Sequence, residues 1–440
     1  MATDHRRFAV ATLTLFACLC LAPPGWTQPG LSYQRDRGRA MLRAVKDDIR
    51  KYYFDPTFRG VDLDALFRGA EEKIARAESN SQIFGVIAQA VMDLNDSHTF
   101  FLPPVRVNRT EYGFQMLAVG ERILVSAVKP RSDAEAKGLK VGDEVLTVNS
   151  FPPTRKDLDK LAYVFYTLRP QPRIQLTVRA PRGEERKLDV TAKVKQGALV
   201  TDLTGEDKWR LVRAAEDEGR LNHHRYAELG DDLLIWKMPS FEVSEDSIAE
   251  MMGKARKRAL LILDLRGNRG GYARPLEWLV GYLFDRDVKI SELRARKETR
   301  AQMARRRGVK EYTGKLVVLV DSGSGSAAEM LARVVQLEKR GTVIGDRTAG
   351  AVMQSRVYEH EEGLDTVIFY AVSVTQAEVI MSDGGRLEGT GVAPDELLLP
   401  TAEDMAAGRD PVLSRAVASF GLSLAPEAAG ALFPVEWSNY

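Results

Sequence analysis

The chain has 440 residues, of which 44% are hydrophobic and 28% are charged. This length suggests about three domains, and the composition is that of a soluble globular protein, which excludes the disordered, collagenous and polytopic membrane classes. Sixty-three Lys and Arg residues face 61 Asp and Glu residues, a net charge of +2, so no global field favours nucleic acid or an acidic membrane as the partner. Function must therefore be inferred from local sites.

The N-terminus predicts a secretory signal peptide over residues 1–27. Arg6 and Arg7 precede the apolar run 8–22, which is followed by two prolines and a glycine, the order of segments in an export signal. We therefore expect a periplasmic or secreted protein; an uncleaved anchor is the alternative, although the run is short for a spanning helix. The only cysteines, Cys18 and Cys20, lie in this run, so cleavage downstream would leave no disulfide and no thiol nucleophile. Residues 15–18 also resemble a lipoprotein cleavage box, which would place a lipid anchor at Cys18.

Residues 31–108 are predicted to form an N-terminal helical domain. Apolar residues recur at helical spacing, as in Met41, Leu42, Val45 and Ile49, which is the pattern of one buried helix face. The pattern ends at residues 94–104, where a double proline predicts a loop.

Residues 109–198 change to short β-type runs and predict a separate β-rich domain. Within it, residues 132–149 run from a helix ending at Gly-Leu into a Gly-Asp turn and a strand ending at Asn, and this order resembles the PDZ family. The resemblance implies that a peptide binds near Tyr112, Gly113, Phe114 and Gln115 by adding a strand to an open sheet edge. A PDZ-shaped spacer without a ligand is the alternative.

Residues 199–400 alternate strand and helix patterns. Strands are predicted at 233–238, 259–265, 315–321 and 342–345, with helices near 244–257, 276–283 and 326–337. This alternation predicts an α/β core with a partly parallel sheet. The tail, residues 401–440, contains an amphipathic stretch near 411–420 that we expect to pack on the core.

Two segments of the core follow apolar strands and contain small residues. Residues 320–330 open a helix, where a serine could attack a carbonyl while backbone amides hold the oxyanion; a phosphate loop or a plain helix cap are the other readings. No Lys-Ser/Thr pair follows its glycines, which excludes a P-loop, and it lacks a Gly-x-Ser-x-Gly elbow. Residues 264–271 end in Gly270 and Gly271, which could face a substrate oxygen or form only a tight turn.

Taken in order, these motifs resemble the C-terminal-processing and tricorn-like serine peptidase superfamily. They are Leu-x-Asp-x-His-Thr at 94–99, the PDZ-like segment, Asp-Leu-Arg-x-Asn-x-Gly-Gly at 264–271, Ser-Ala-x-Glu at 326–329, Gly-x-x-Thr-x-Gly at 345–350 and Glu-Gly-x-Gly-Val-x-Pro-Asp at 388–395. The resemblance implies an α/β multidomain fold: the helical domain, the inserted PDZ domain and a ClpP/crotonase-like protease core.

The superfamily has two catalytic designs, and the sequence favours the tricorn-like one. The place of the lysine base in the C-terminal-processing branch holds Ala351, and the nearest cation, Arg356, stays protonated and cannot act as a base. The tricorn-like branch implies Ser326 as nucleophile, His98 as base, Glu388 as the supporting glutamate and Ser97 as the second serine. The resemblance assigns the oxyanion donors to the amides of Gly270 or Gly271 and of Ala327. The choice between the glycines, and whether Glu388 supports His98 or orders Ser97, stay open.

Other charged residues give weaker signals. A basic run over 294–310 could capture acidic groups, but a solvated face is the commoner reading of such a run. His5, His223, His224 and His360 have no spacing typical of a zinc site, so we expect no metal and no cofactor.

The favoured function is an exported serine endopeptidase that acts on polypeptides through an acyl-enzyme, with the PDZ domain recruiting or gating the substrate. An inactive peptide-binding or ligand-binding scaffold of the same fold is the alternative from another class, and an esterase is a third reading. Homo-oligomerisation is compatible with the sequence, and nucleic acid is not an expected partner.

Overall fold

A computed structural model describes residues 30–104, 108–195, 221–363 and 367–437. The signal peptide and Cys18 lie outside the described residues. Within them, no helix is both long enough and apolar enough to cross a membrane. The chain has a mixed α/β, multidomain architecture.

The described chain begins with three amphipathic helices, α1 (Leu31–Tyr52), α2 (Leu63–Ala75) and α3 (Asn80–Met92). The side chains of Asp62 and Ser79 cap the amides that begin α2 and α3, because the first turn of a helix leaves its N–H groups unpaired. The buried helix faces pack on β1 (Phe100–Leu102) and on residues of β17 (Ile368–Met381), including Tyr370 and Val372. The helical segment is therefore covered by a strand that follows it directly and by a strand some 270 residues further along the chain.

The next part of the chain forms a five-stranded antiparallel sheet. Its strands are β3 (Phe114–Val119), β4 (Arg122–Val128), β5 (Glu144–Val148), β6 (Arg173–Arg179) and β7 (Glu185–Thr191), in the order β3-β4-β5-β6-β7. Two helices, α4 (Asp133–Ala136) and α5 (Leu158–Ala162), accompany it, and a π-helical turn (Tyr163–Leu168) continues α5. The short β2 (Arg109–Glu111) pairs with β8 (Lys193–Lys195). This sheet encloses its own hydrophobic cluster.

The described part of the chain from residue 225 onward contains a six-stranded sheet. Its order is β18-β15-β14-β11-β10-β9, and every neighbouring pair is parallel except β10 with β9. The strands are β9 (Arg225–Leu229), β10 (Leu233–Lys237), β11 (Leu260–Asp264), β14 (Lys315–Val320), β15 (Thr342–Gly345) and β18 (Glu396–Leu397).

Helices cover both faces of this sheet. One face carries α6 (Glu245–Ala255), α7 (Ala273–Leu283) and α8 (Ala327–Leu337), and the other carries α10 (Pro411–Ala418) and α11 (Pro426–Ala431) after the short α9 (Ala402–Ala406). Along β10, Leu234 and Trp236 face the first layer while Leu233 and Ile235 face the second, because side chains of a strand alternate between its faces. The central strands β10, β11 and β14 are therefore largely apolar, as expected for a sheet buried on both sides.

The sequence patterns did not predict a second, antiparallel sheet in this region. It contains β12 (Val288–Ala295), β13 (Thr299–Ala304), β16 (Met353–Glu362) and the 14-residue β17, in the order β1-β17-β12-β13 with β16 also on β17. Strand β1 pairs with β17, with Phe100 opposite Ser373. This pairing brings the segment after α3 onto the core although about 270 residues separate the two in sequence.

Candidate active site

Three neighbouring strands of the six-stranded sheet end at the same edge. The loops that follow them contain the motifs at residues 264–271, 326–329 and 345–350. Strand β11 ends at Asp264, β14 at Val320 and β15 at Gly345, and the order β15-β14-β11 makes them neighbours. The carboxyl ends of parallel strands are where open α/β sheets bind ligands. The loops 265–271, 321–326 and 346–351 therefore meet at the usual position of a site.

Ser326 begins helix α8 with an unusual backbone conformation. Its φ is 53° and its ψ is −117°, a region that non-glycine residues avoid and that is typical of strained functional positions. The Ser326 amide donates to the carbonyl oxygen of Ala351 and to Oε2 of Glu329, both at 3.0 Å. The side chain is partly exposed. The backbone is thus held on two sides while the hydroxyl remains accessible.

Glu329 is a buried carboxylate that joins two of these loops. It is 0% exposed and accepts from the Ser326 amide, from Oγ1 of Thr348, and from the amides of Gly350 and Ala351 at 2.8 and 2.9 Å. Burial raises the pKa of Glu329, and these four donors oppose that rise. The sequence indicated Glu329 only as a member of the Ser-Ala-x-Glu motif, because its donors come from a loop some 20 residues away.

Gly270 lies against the serine. A methyl group at its α-carbon would lie 2.6 Å from Cβ of Ser326 and 3.0 Å from the Ala327 amide nitrogen, and its φ is +95°, so glycine is required for both space and conformation. Its own amide is occupied: it donates to Oδ1 of Asn268 at 2.8 Å, while Nδ2 of Asn268 donates to the carbonyl of Met238 at 2.9 Å. Gly270 therefore allows its loop to pack closely against Ser326 but offers no free N–H group.

The neighbouring amide of Gly271 is in a different situation. Gly271 forms an isolated parallel bridge with Phe241, in which Phe241 donates to the Gly270 carbonyl at 2.7 Å and Tyr272 donates to the Phe241 carbonyl at 3.3 Å. In such a bridge the middle residue directs its own N–H away from the paired strand. Within the described residues neither the Gly271 amide nor the Ala327 amide has an acceptor. Each of these two N–H groups is therefore free to donate to an anion.

His98, Ser97 and Glu388 form a continuous hydrogen-bonded chain. Oγ of Ser97 lies 2.7 Å from Nδ1 of His98 and donates to Oε2 of Glu388 at 2.8 Å. The Ser97 amide donates to Oε1 of Glu388 at 2.9 Å. In this arrangement the carboxylate contacts Ser97, and its connection to the imidazole runs through the serine hydroxyl.

The donors and acceptors in these hydrogen bonds define the tautomer of His98. The single hydroxyl hydrogen of Ser97 is used toward Glu388, since a carboxylate can only accept, so Nδ1 of His98 must be the donor to Ser97. The Nε2 lone pair is then free to accept a proton. Burial lowers the pKa of His98, whereas the negative charges of Glu388 and Asp96 raise it. The net direction is downward, which keeps the imidazole neutral at neutral pH.

Asp96 fixes the main chain around His98, a role that the sequence patterns did not reveal. Its Oδ1 accepts from the amides of His98 and Thr99 at 3.0 and 2.7 Å and from Oγ1 of Thr375 at 2.7 Å. Ser373 also donates to the His98 carbonyl at 2.7 Å. The histidine loop is thus tied to β17. The position of a carboxylate two residues before His98 was the sequence feature that could have indicated this role.

Two consecutive residues, Ala351 and Val352, connect Ser326 to the hydrogen bonds among Glu388, Ser97 and His98. The carbonyl of Ala351 accepts from the Ser326 amide, and the amide of Val352 donates to Oε2 of Glu388 at 2.8 Å. Ala351 is the residue that the sequence motif predicts to stand in the place of the lysine of the C-terminal-processing design. The Ser326 hydroxyl oxygen also faces the amide of Glu329 in a capping box at the start of α8.

The remaining histidines have other surroundings. Nε2 of His360 lies 2.6 Å from Oδ2 of Asp48, and its ring stacks on Tyr370. His224 lies beside Trp236, and burial lowers its pKa to about 4. No group of three or more His, Cys, Asp or Glu residues in the described ranges is arranged to hold a metal ion.

The segment expected to bind a peptide lies at the start of β3. Tyr112 is buried, and its hydroxyl donates to the carbonyl of Gln171 at 3.0 Å, while Phe114 opens β3 opposite Val128. Gly113 has a φ of +76°, and its carbonyl accepts from Lys129. Gln115 is exposed. Within the described strands β3 pairs only with β4, so its outer edge is open to a further strand.

Comparison with known proteins shows which class of protein has a similar α/β core with a serine in a loop after a strand. Residues 232–398 match the model of Peptidase family S41, a range that includes Ser326 and Glu388 and leaves His98 outside. The resemblance to C-terminal-processing and tricorn-like serine peptidases is therefore confirmed as a similarity, carried in residues 232–398 by the match to the family S41 model.

Relatives and a solved structure extend the similarity. The chain is 25% identical over 400 residues to tricorn protease homolog 2 of Streptomyces coelicolor, covering 84% of this chain and 31% of that protein. It is 24% identical over 381 residues to the chloroplastic C-terminal processing peptidase of Tetradesmus obliquus, covering 80% and 75%. The crystal structure of mature CPAF has a TM-score of 0.65 at 16% identity and covers 85% of this chain and 94% of the other, which shows a shared fold. The chain thus spans about a third of one relative and three quarters of the other.

Proposed function

We propose that this protein is an exported serine endopeptidase that cleaves polypeptides with Ser326 as nucleophile and His98 as general base. The observation that carries the proposal is the chain from Glu388 through Ser97 to Nδ1 of His98, joined by residues 351–352 to a strained serine at a helix N-terminus. The family S41 match of the core supports peptide hydrolysis as the reaction.

The reaction follows from the free atoms of the site. Nε2 of His98 takes the Ser326 hydroxyl proton as Oγ attacks the scissile carbonyl carbon, and the imidazolium is stabilised by Ser97 and Glu388. The imidazolium then gives this proton to the leaving amine as the C–N bond breaks. The same nitrogen then takes a proton from water as the water oxygen attacks the acyl carbon, and it returns this proton to Oγ of Ser326 as the acyl C–O bond breaks, which releases the new carboxyl group.

The amides of Gly271 and Ala327 would hold the oxyanion in both tetrahedral intermediates. They are unpaired in the described structure, whereas the Gly270 amide is occupied by Asn268. Preorganised donors of this kind contribute about 10²–10³-fold each to the rate. This difference supports Gly271 over Gly270 as the donor in the loop after β11.

The β-rich segment would act as a PDZ-like domain, with the open edge of β3 receiving an extended chain. It is attached to the core: Arg155 donates to the Gly120 carbonyl and to Oδ2 of Asp346, at 2.8 and 2.9 Å, and Ser322 donates to the Ala118 carbonyl at 2.6 Å. Asp346 and Ser322 lie in the loops that carry the site. Recruitment of a substrate at β3 would therefore place it next to the catalytic loops.

The test is labelling by a fluorophosphonate probe together with hydrolysis of unfolded casein. The chain is used from about residue 28, beside the variants Ser326→Ala and His98→Ala. Both signals are expected in the unmodified protein and are expected to disappear in both variants, with thermal unfolding temperatures unchanged. Absence of labelling in a folded protein would identify a binding scaffold, and turnover of small esters without casein hydrolysis would identify an esterase.

A further inference from the structure

The hydroxyl of Tyr53 is a buried polar group that the catalytic scheme above does not use. Tyr53 directly follows helix α1, where its amide donates to the carbonyl of Ile49 at 3.0 Å, and it is 0% exposed. Within the described residues its hydroxyl has no hydrogen bond of ordinary geometry. Since native proteins rarely leave a buried hydroxyl without a partner, a neighbouring acceptor is expected.

Asp96, two residues before His98, has a buried oxygen in the same condition. Its Oδ1 accepts from the amides of His98 and Thr99 and from Oγ1 of Thr375. Its Oδ2 is buried and, within the described part of the chain, accepts no hydrogen bond of ordinary geometry. A tyrosine hydroxyl can donate and a carboxylate oxygen can only accept, so the two unpaired atoms are chemically complementary.

The fold brings Tyr53 and Asp96 next to each other. The amide of Phe54 donates to the carbonyl of Thr375 at 3.0 Å, and the hydroxyl of Thr375 donates to Asp96 at 2.7 Å. Burial raises the pKa of Tyr53, and the negative charge of Asp96 and a hydrogen bond to Asp96 raise it further. The Tyr53 hydroxyl is therefore within reach of the Asp96 carboxylate.

Asp96 acts electrostatically on both rings. The charged groups that act on Tyr53 are, in decreasing order of effect, those of Asp96, Arg59 and Asp55. The charged groups that act on His98 are those of Glu388 and Asp96. Because Asp96 is common to the two sets, a change at the Tyr53 hydroxyl should reach His98 through this carboxylate.

We propose that the Tyr53 hydroxyl donates to Oδ2 of Asp96 and thereby positions His98 as the general base. The inference rests on the proposed peptidase function and adds a positioning residue to it. Tyr53 has no contact with the substrate in this scheme. It fixes the second oxygen of a carboxylate whose first oxygen holds the His98 amide, so the end of α1 takes part in placing the base.

Removal of the hydroxyl should have two effects. In Tyr53→Phe the Asp96 carboxylate is held through one oxygen only, so the His98 loop loosens and kcat should fall by about tenfold, with KM little changed. The hydroxyl hydrogen also offsets part of the negative charge of Asp96. Without it this charge favours the imidazolium more strongly, so the midpoint of the pH profile should rise by about 0.3 pH unit. This direction is opposite to the shift expected for Asp96→Asn.

The experiment is a double-mutant cycle on Tyr53 and Asp96. Hydrolysis of fluorescently labelled casein is measured against pH for the unmodified protein, Tyr53→Phe, Asp96→Asn and the double variant, together with thermal unfolding. In the Asp96→Asn background, Tyr53→Phe should change neither kcat nor the midpoint further. Tyr312→Phe is the matched control, because it removes another tyrosine hydroxyl, one that donates to the carbonyl of Lys315 at 3.0 Å; it should keep both values.

A second measurement does not depend on turnover or on the folding of Tyr53→Phe. With the ring carbon Cζ of Tyr53 isotopically labelled, its NMR chemical shift should move in Asp96→Asn and stay in place in Asp93→Asn, where the exposed carboxylate bonds to Gln89. An unmoved signal in Asp96→Asn would overturn the contact.

The outcomes also separate this inference from the proposed function. If the unmodified protein is labelled by fluorophosphonate and cuts casein, while Tyr53→Phe matches it in kcat and midpoint, the positioning role is refuted and the peptidase stands. The same holds if Tyr53→Phe causes equal losses with Asp and with Asn at position 96, since a merely structural role predicts that result. If the unmodified protein is neither labelled nor active, both fall.

Discussion

The two halves of the candidate site are built in different ways. Ser326 lies in a loop that follows a buried parallel strand, and its strained backbone is held by Glu329, three residues along the same chain segment. His98 lies on a connection between α3 and β1 and is held by Asp96 nearby and by Glu388 and β17 from nearly 300 residues away. The proposed nucleophile is therefore held mainly by loops of the six-stranded sheet, whereas the proposed base is held by contacts with segments nearly 300 residues away.

The electrostatic environments of the two halves differ as well. Glu329 is fully buried and meets four donors, so its role is to fix loops rather than to exchange protons. Ser97 is exposed and His98 partly so, and the histidine chain ends in a carboxylate that can stabilise an imidazolium. This difference predicts that variants of the serine half change rates through geometry, and variants of the histidine half change the pH dependence.

The largest effect should come from Gly270→Ala in the serine half. Its methyl group would lie 2.6 Å from Cβ of Ser326, so the nucleophile or the oxyanion amides must move, and we expect activity to fall by about 10²–10³-fold. Gly267→Ala is the matched control, because Gly267 also has a positive φ, +72°, but open space around it. Both variants should lose about 1 kcal/mol of stability from backbone strain, measured by denaturant unfolding. Equal activities of the two variants would contradict the packing described here.

Glu329→Gln should have the next largest effect. An amide nitrogen would replace one carboxylate oxygen and face N–H or O–H donors, so the loops separate and kcat should fall by about 10²-fold. KM should change little because Glu329 does not reach the substrate. Unsatisfied donors should also cost about 1–3 kcal/mol of stability.

The control for this variant is Glu338→Gln at the other end of α8, where the carboxylate pairs with Arg286. It makes the same chemical change on the same helix and should keep kcat. A Glu329→Gln enzyme that loses stability but keeps kcat would show that this carboxylate only supports the fold.

Arg155→Gln tests the attachment of the β-rich segment and should affect activity less. The Arg155–Asp346 pair is largely buried, with 13% and 8% of the side chains exposed, and breaking a buried pair costs about 3–5 kcal/mol. We expect a lower unfolding temperature and faster proteolysis of the β-rich segment, with only a few-fold change in fluorophosphonate labelling. Arg179→Gln breaks an exposed pair with Glu185 and should cost less than about 1 kcal/mol. Similar unfolding temperatures for the two variants would rule out a strong attachment at Arg155.

The smallest effect should be a shift of the pH profile. The pKa of His98 is lowered by burial, and the neutral form is the base, so kcat/KM should rise with pH through a midpoint below the usual value of about 6.5 for histidine. Asp96→Asn keeps an acceptor oxygen but removes a negative charge that favours the imidazolium, so its midpoint should move to still lower pH. Asp93→Asn, at an exposed position bonded to Gln89, should leave the midpoint in place. A rise only above about pH 8.5 would point to a lysine base.

The Ser326 half and the His98 half of the site also differ in how far they could be predicted from the sequence. The positions of Ser326, Ala327 and the two glycines could be predicted because each belongs to a short motif at the end of an apolar strand, and strand and helix periodicity are local properties. The boundaries of β14, β15 and α8 in the structure lie within one residue of the sequence expectation. The different states of the Gly270 and Gly271 amides could not be predicted, because they depend on Asn268 and on a bridge to Phe241.

Local patterns in the amino-acid sequence are sufficient to predict the apolar parallel strands, the helices on them and the motifs that resemble the serine peptidases, since side-chain periodicity and small-residue turns are encoded in adjacent residues. Two contacts arise only in the folded chain: Glu388 with Ser97, and the histidine loop with β17. These contacts join residues that are far apart in the chain. They form only when burial of the two sheets brings distant segments together, and no local pattern records that outcome.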